Sequence, residues 1–158
     1  MKVLVIWKTL VSKAHHRKIK VLAGIKDVEI TLIVPTKWDK VILEMEYCSG
    51  YKIIPVRVML SGYNHLHWYP GLEELVKQVQ PDIFHIEEEH YSLVTFQAIR
   101  LAKKYNIKCL FVSWQNIYKK YPFPFSWIEG YNLENADYAI AGSKEVRKVL
   151  VRKGFNDE

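Results

Sequence analysis

Three adjacent glutamates, Glu87 to Glu89, stand between two histidines in the stretch HIEEEHYSL, residues 85–93. Carboxylates and imidazoles in one cluster could bind a metal ion, exchange protons or accept hydrogen bonds from hydroxyl groups. Adjacent carboxylates repel one another, so we expect them to need a cation or hydrogen-bond donors as partners. The simpler interpretation is that they stabilise the positive end of the next helix, for which one glutamate is enough.

A second polar stretch, SWQNIYKKYPFPF, spans residues 113–125 and also follows an apolar run. It offers neutral amides and aromatic faces. Sugar rings are bound by such surfaces, since an aromatic face covers the C–H patch of the ring while amides and carboxylates take its hydroxyls. The residues that could do this are Trp114, Gln115, Asn116, Tyr118 and Tyr121. The alternative is an aromatic, proline-containing loop that only covers the core.

Positive charge is concentrated at the start of the chain. The net charge is +6, from 23 basic and 17 acidic residues, and no acidic residue precedes Asp27. If residues 8–18, KTLVSKAHHRK, face the same crevice as the glutamates, their basic groups and helix-start amides would suit a diphosphate. The candidates are Lys13, His15, His16 and Arg17. A basic segment also attracts anionic lipid or nucleic acid, and the alternative is an ordinary solvated helix face.

Apolar runs alternate with helical periodicity along the whole chain. The pattern predicts strands at 2–7, 28–35, 52–60, 82–86, 108–112 and 138–142, and helices at 13–24, 72–79, 92–105, 126–135 and 144–153. Pro55 interrupts the third strand, which indicates a sheet edge or a break in the strand. Ser143 is expected to cap the last helix and Gly154 to end it.

Strands that are apolar on both faces and alternate with helices predict an α/β fold, a Rossmann-like open parallel sheet with helices on both faces. Ligands of such sheets bind outside the carboxyl ends of the strands, which is where both polar stretches fall. No GxGxxG fingerprint follows the first strand. A dinucleotide cofactor is therefore disfavoured.

Composition limits the class of protein. A chain of 158 residues that is 49% hydrophobic suits one globular domain. Cys48 and Cys109 share no zinc or disulfide spacing, so a reducing compartment is expected, with Cys109 as a small buried apolar residue. The first apolar run is too short for a signal peptide or a membrane span, which predicts a cytoplasmic or peripheral protein.

Four stretches together resemble the N-terminal half of a group 1 glycosyltransferase of family 4, which has the GT-B architecture. They are VEITLIVPTKW, PDIFHIEEEHYSL, FVSWQNIYKKYPFPFSWIE and NADYAIAGSKEVRKVLVRKGF, and the likeness covers nearly the whole chain. The last stretch is the most specific. The resemblance implies a metal-independent, retaining transfer of a sugar from a nucleotide-activated donor to an acceptor, without a cofactor, in a cleft between two Rossmann-like domains.

The resemblance also implies a division of the protein. Residues 1–155 would form the acceptor-side domain, residues 156–158 would begin the interdomain linker, and the donor-binding domain would be missing. The chain alone is then expected to be inactive. Its partners would be a nucleotide-sugar donor, held by the missing domain, and a carbohydrate or lipid-linked acceptor, with no nucleic acid. Lys119 and Lys120, together with the basic first helix, could rest on anionic lipid at the inner face of a membrane.

The resemblance also implies roles for individual residues, according to their positions in the matching stretches. Gln115 and Asn116 take the catalytic place beside the reacting sugar, and the loop at residues 13–17 faces acceptor or diphosphate. The acceptor would be bound by Glu87, Glu88, Glu89, His90, Trp114 and Tyr118, with Glu89 as the first choice. No metal ligand is implied.

Two departures from the family pattern matter. Many relatives have a histidine where Gln115 stands, and an amide cannot take a proton at neutral pH. In a retaining front-face mechanism the leaving phosphate can itself serve as the base, so the exchange is tolerable. The glycine-rich first loop of many members is replaced by KTLVSKAHHRK, which leaves contacts with the donor diphosphate to side chains.

Two other functions stay open at this point. One is a non-catalytic Rossmann-like module that binds nucleotide or nucleic acid with its basic side, although the acidic cluster would repel phosphates. The other is a metal-dependent hydrolase built on His85, His90 and the glutamates. The two histidines lack the i, i+4 spacing of an HExxH helix, which disfavours a metal site.

Overall fold

The structure is a computed structural model that describes residues 1–44 and 50–156. Cys48 and the last two residues of the predicted linker lie outside the described residues, and so does the side chain of Lys13. No helix in the described ranges is long and apolar enough to cross a membrane.

A six-stranded parallel sheet forms the centre of the domain. Its strands are β1 (Lys2–Ile6), β2 (Glu29–Pro35), β5 (Tyr51–Val56), β6 (Ile83–Ile86), β7 (Lys108–Ser113) and β8 (Tyr138–Ala141); a short antiparallel pair, β3 (Lys37–Trp38) and β4 (Val41–Ile42), stands apart. The order in the sheet is β5-β2-β1-β6-β7-β8. The helices are α1 (Arg17–Ala23), α2 (Leu72–Val79), α3 (Leu93–Tyr105), α4 (Phe125–Asn135) and α5 (Lys144–Arg152).

Both faces of the sheet are apolar because successive side chains of a strand point to opposite sides. Phe84 and Ile86 lie on the face that packs against α2, α3, α4 and α5. Ile83 lies on the opposite face, where Ile19 of α1 and the turn at Leu10 cover β1 and β2. The prediction of an α/β Rossmann-like sheet with helices on both faces is therefore confirmed.

The sheet face on the α1 side is more exposed at β8, the last strand of the described sheet. Tyr138 and Ile140 point to that side and are 62% and 44% exposed. At the other edge lies β5, in which Pro55 pairs with Val34 of β2. The edge position expected for the strand with Pro55 is confirmed.

Two local expectations were wrong in detail, and one feature was missed. The first helix begins at Arg17, since Lys8–Val11 and Lys13–His15 form short 3-10 turns. The strand expected at 52–60 ends at Val56. The pair β3 and β4 was not foreseen, because two-residue strands carry no detectable periodicity.

Ser143 caps α5 as expected, since its Oγ accepts a hydrogen bond from the backbone N–H of Val146 at 3.3 Å. We expect Ser143→Ala to lower the free energy of unfolding by about 1 kcal/mol, because that N–H loses its partner. Urea unfolding measures the change. Ser126→Ala, at an exposed position in the first turn of α4, is the control and should change it by less than about 0.5 kcal/mol. Equal effects of the two substitutions would contradict the cap.

Candidate functional site

The three glutamates directly follow the carboxyl end of β6, in the middle of the sheet. The neighbouring strands β1 and β7 end beside it, since Ile6 and Phe111 both pair with Ile86. Residues that follow the three strands therefore meet at one edge. This edge holds Lys8 after β1, the glutamates after β6, and the loop that begins at Trp114 after β7.

Glu87 has its partners within the chain. Its carboxylate contacts Lys18 of α1, and its Oε1 lies 2.8 Å from His85 Nε2. Burial alone would raise the pKa of Glu87, but the hydrogen bonds from His85 and Lys18 outweigh it and hold the pKa below its ordinary value. Its side chain is only 4% exposed. Glu87 therefore orders α1 against the sheet edge and offers little surface to a ligand.

Glu88 is more deeply buried. Its Oε2 contacts Lys8 Nζ, and its Oε1 lies 3.8 Å from His67 Nε2. Burial raises the pKa of Glu88 to about 7, although Lys8 acts in the opposite direction. The Lys8 ammonium also lies over the Trp38 ring, 5.4 Å from its centre. The carboxyl group of Glu88 is thus enclosed by its own chain.

His67 faces Glu88 with an unprotonated nitrogen. Its Nδ1 lies 3.0 Å from the carbonyl oxygen of Asn64 and 3.3 Å from that of Tyr63, and because carbonyls only accept, Nδ1 must donate. Burial and the nearby Lys8 lower the pKa of His67 to about 3. An ionised Glu88 would therefore point one oxygen at a nitrogen lone pair.

Glu89 differs from its neighbours because 22% of its side chain is exposed. Ser113 Oγ donates to its Oε2 and the backbone N–H of Trp114 donates to its Oε1, each at 2.8 Å. Burial alone would raise the pKa of Glu89, but His90, Trp114 and Ser113 together hold it below its ordinary value. Glu89 is an ionised, immobilised carboxylate that keeps lone pairs for a ligand.

His90 connects Glu89 to the end of α5. Its Nδ1 lies 3.5 Å from Glu89 Oε2, and its Nε2 lies 3.1 Å from Glu129 Oε1. Lys153 Nζ lies 2.6 Å from the same oxygen of Glu129. Burial would lower the pKa of His90, but Glu129 and Glu89 outweigh it and raise the pKa. Asn132 donates to the His90 carbonyl oxygen at 2.8 Å. Two carboxylates, an imidazole and an ammonium group thus alternate in a row that is largely buried, which we call the charge chain.

The loop after β7 is partly fixed and partly open. Gln115 is half-buried and donates through Nε2 to Tyr121 Oη at 2.8 Å, while its buried Oε1 has no hydrogen-bond partner among the described residues. Asn116 is exposed. Tyr118 lies under the Arg152 guanidinium, 4.3 Å from the ring centre, and is held against the end of α5.

In the basic loop at residues 13–17, His15 and Arg17 face solvent and His16 does not. His16 is 1% exposed, and its two ring nitrogens lie 2.9 Å from Tyr51 Oη and from the carbonyl oxygen of Leu10. The structure corrects the expectation for His16, because a side chain used inside the core cannot contact a diphosphate. His15 and Arg17 are exposed beside Lys18.

Four residues of the site were not expected from the sequence: Lys8, Lys18, Glu129 and Lys153. Lys8 could have been found, because it follows the first strand and so reaches the edge where the glutamates lie. Glu129 and Lys153 carry no such signal, since their meeting with His90 depends on how α4 and α5 pack. Within the described ranges, no group of three or more histidine, cysteine, aspartate or glutamate side chains could hold a metal ion.

No family model and no curated protein matches the chain. Solved structures do. The chain resembles UDP-GlcNAc 2-epimerase from Methanocaldococcus jannaschii at 15% identity with a TM-score of 0.63, covering 99% of this chain and 43% of that one. It resembles a putative UDP-N-acetylglucosamine 2-epimerase from Listeria monocytogenes at 19% identity with a TM-score of 0.62, covering 98% and 43%.

A third similar structure is that of S. aureus MnaA with UDP, at 21% identity with a TM-score of 0.62, covering 99% of this chain and 41% of that one. The chain therefore spans less than half the length of these structures. At such identities the likeness shows the fold alone, and does not select the family 4 glycosyltransferases. The fold is GT-B-like and is shared with the UDP-GlcNAc 2-epimerases named above.

Proposed function

We propose that this chain is the acceptor-side domain of a two-domain glycosyltransferase, which transfers a sugar from a nucleotide-activated donor to an acceptor with retention of configuration. The observation that carries the proposal is Glu89, an ionised and partly open carboxylate at the carboxyl edge of a GT-B-like sheet. Beside it lie the exposed Trp114 and Asn116. A carboxylate, an amide and an aromatic face are the groups that bind a sugar ring.

Each residue would have a separate role in the sugar transfer. Glu89 accepts hydrogen bonds from acceptor hydroxyls, and its low pKa means that it does not act as a proton donor. Asn116, with Gln115 beside it, contacts the reacting sugar through amide groups. Neither amide can take a proton, so the leaving phosphate of the donor would accept the proton of the attacking hydroxyl. The donor nucleotide would be held by a second domain, and no metal or cofactor is invoked.

A second candidate is favoured by the structural likeness to the UDP-GlcNAc 2-epimerases. In that case the same edge would bind the sugar of a nucleotide sugar and no acceptor would be needed. The enclosed Glu87 and Glu88 argue for neither candidate. The two differ in the product formed from a single nucleotide sugar.

The test uses the longest natural polypeptide that contains this chain, recovered from its source cells with an antibody to the domain. Its intact mass shows whether a donor domain is attached or associated. The protein is then incubated with UDP-GlcNAc or other nucleotide sugars, with and without cellular glycans and lipids. Release of nucleoside diphosphate that requires an acceptor supports the transferase. An isomerised nucleotide sugar formed without acceptor supports the epimerase and overturns our proposal.

Glu89→Gln should raise the KM for the acceptor by about tenfold or more, while leaving the KM for the donor nearly unchanged. The glutamine amide has only one oxygen, whereas Ser113 and the Trp114 N–H donate to both oxygens of Glu89, so one donor would face an NH2 group. Steady-state kinetics with varied acceptor measure the change. Glu74→Gln, at an exposed position on α2, is the matched control. An unchanged KM for the acceptor would remove Glu89 from the acceptor site.

Peripheral contact with anionic membrane is a further part of the proposal. Lys119 and Lys120 are exposed, and Phe123 of the same loop is 80% exposed. Lysines next to an exposed aromatic side chain suit an anionic lipid surface. Sedimentation with vesicles should show binding to phosphatidylserine-containing bilayers that is lost in Lys119→Ala/Lys120→Ala. Equal binding to anionic and neutral vesicles would contradict it.

A further inference from the structure

Gly142, between β8 and α5, has no room for a side chain. A Cβ at this position would lie 2.3 Å from Cε3 and 2.6 Å from Cζ3 of Trp114, distances that real Cβ atoms do not show. The backbone itself does not require glycine, because Gly142 is not among the glycines with positive φ. What requires glycine here is the indole ring, whose six-membered part lies directly on the Gly142 backbone.

Trp114 is at once fixed and exposed. Its backbone N–H donates to Glu89, and the preceding residue, Ser113, accepts a hydrogen bond from the Gly142 N–H at 2.9 Å and pairs with Ala141 of β8. One side of the ring packs on Gly142, yet 68% of the residue is exposed. A tryptophan held in this way loses little conformational entropy when a ligand covers its open side.

Polar groups of the right kind lie at the backbone of Trp114 and close to it along the chain. Glu89 Oε1 accepts a hydrogen bond from the backbone N–H of Trp114, and Asn116 follows two residues later in an exposed position. An aromatic face is electron-rich and attracts the positive C–H edges of a sugar ring. The hydroxyls of a ring stacked there would find the carboxylate and the amide as hydrogen-bond partners.

We propose that Gly142 is a positioning residue: it keeps the Trp114 ring flat on the backbone so that the open face of this ring is a stacking platform for a pyranose ring. The inference rests on the proposed function and deepens it, because it names the chemistry of the ligand and the residue that sets the platform. The pyranose could belong to the acceptor or to the donor nucleotide sugar. Both present the same C–H face.

The test is a double-substitution cycle of Gly142→Ala and Trp114→Ala, followed by NMR of the tryptophan indole N–H signals, with Trp114 assigned by Trp114→Phe. The probes are methyl glycopyranosides, UDP-GlcNAc and UDP. We expect at least one pyranose to shift the Trp114 signal saturably, and Gly142→Ala to weaken that probe by about tenfold, equivalent to about 1.4 kcal/mol. If methyl glycosides saturate the shift, the bound ring is that of the acceptor. If UDP-GlcNAc saturates it and neither methyl glycosides nor UDP do, the bound ring is that of the donor.

Stability separates the platform from a simple packing role. Gly142→Ala alone should destabilise the domain, whereas in the Trp114→Ala background it should cost almost nothing, since the obstructing ring is gone. If the single variant does not fold, calorimetric titration of the same probes into wild type, Trp114→Phe and Trp114→Ala still tests the platform, because binding should be partly kept by the phenyl ring and lost with alanine. No shift with any pyranose, or full binding by Gly142→Ala, would overturn the platform. Sugar binding at Trp114 in a longer protein that neither transfers nor isomerises a sugar would support the platform and count against the proposed function alone.

Discussion

Glu129→Gln is expected to lower the free energy of unfolding by about 3 kcal/mol, the largest effect of any single substitution at the site. Glu129 Oε1 lies between the ring of His90 and the ammonium of Lys153, whose side chains are 0% and 4% exposed. Glutamine keeps the shape but removes the negative charge. The Lys153 ammonium and the His90 ring would then keep Glu89 as the one remaining carboxylate of the charge chain. Removal of one member of a buried charged set is costly because the others lose their compensation.

Guanidinium unfolding near neutral pH measures the loss, and Glu74→Gln serves as the exposed control. The pH dependence gives a second readout. The pKa of His90 is raised in the folded state, so its contribution to stability is present below the unfolded pKa and is lost as pH rises through the folded one. This dependence should become weaker in Glu129→Gln, because Glu129 is one of the groups that raise the pKa. A change below about 0.5 kcal/mol would mean that the charge chain does not support the fold.

Glu88→Gln is expected to change how stability depends on pH. The pKa of Glu88 rises from an ordinary 4.5 to about 7 through burial, so the folded state binds its proton more tightly than the unfolded chain does. The stability that this proton provides is present at low pH and is lost as pH rises from about 4.5 to about 7. Ionising the buried group then costs on the order of 3 kcal/mol. Glutamine, which resembles the protonated acid, does not titrate.

The measurement compares wild type and Glu88→Gln by urea unfolding at about pH 5 and about pH 8. Wild type should lose about 2.5 kcal/mol relative to the variant between the two values, since a part of the total loss has already occurred at pH 5. The comparison removes the contribution of His90, which both proteins share. Parallel curves for the two proteins would show that Glu88 is already ionised at the lower pH, held so by Lys8.

The place of the glutamates could be predicted from the sequence, and so could the presence of Lys8 at the same edge, but not which residue would pair with which glutamate. Apolar strands and helical periodicity put Glu87 to Glu89 at a carboxyl edge, and repulsion among them indicated that partners were needed. Lys8 and Lys18 meet them only because β1 lies next to β6 in the sheet. Strand order is decided by the packing of whole elements, and no local pattern in the sequence records it.

The burial of single polar residues could not be predicted from the sequence either. His16 stands between His15 and Arg17, both exposed, and nothing in its neighbours along the chain distinguishes it. It is buried because Tyr51 and Leu10, from other parts of the chain, supply partners for both ring nitrogens. Periodicity finds the apolar side of a helix, but it cannot tell which polar residue will find hydrogen bonds inside.

The two edges of the sheet differ in a way that bears on how the protein behaves at high concentration. Pro55 leaves β5 without one N–H on its outer side, which blunts that edge against pairing with another chain. β8 has no proline, and its exposed Tyr138 and Ile140 add an apolar surface. Of the two edges of the described sheet, β8 is therefore the one better suited to strand addition. A lysine in place of Ile140 is the change that would improve its solubility with the least disturbance of the crevice.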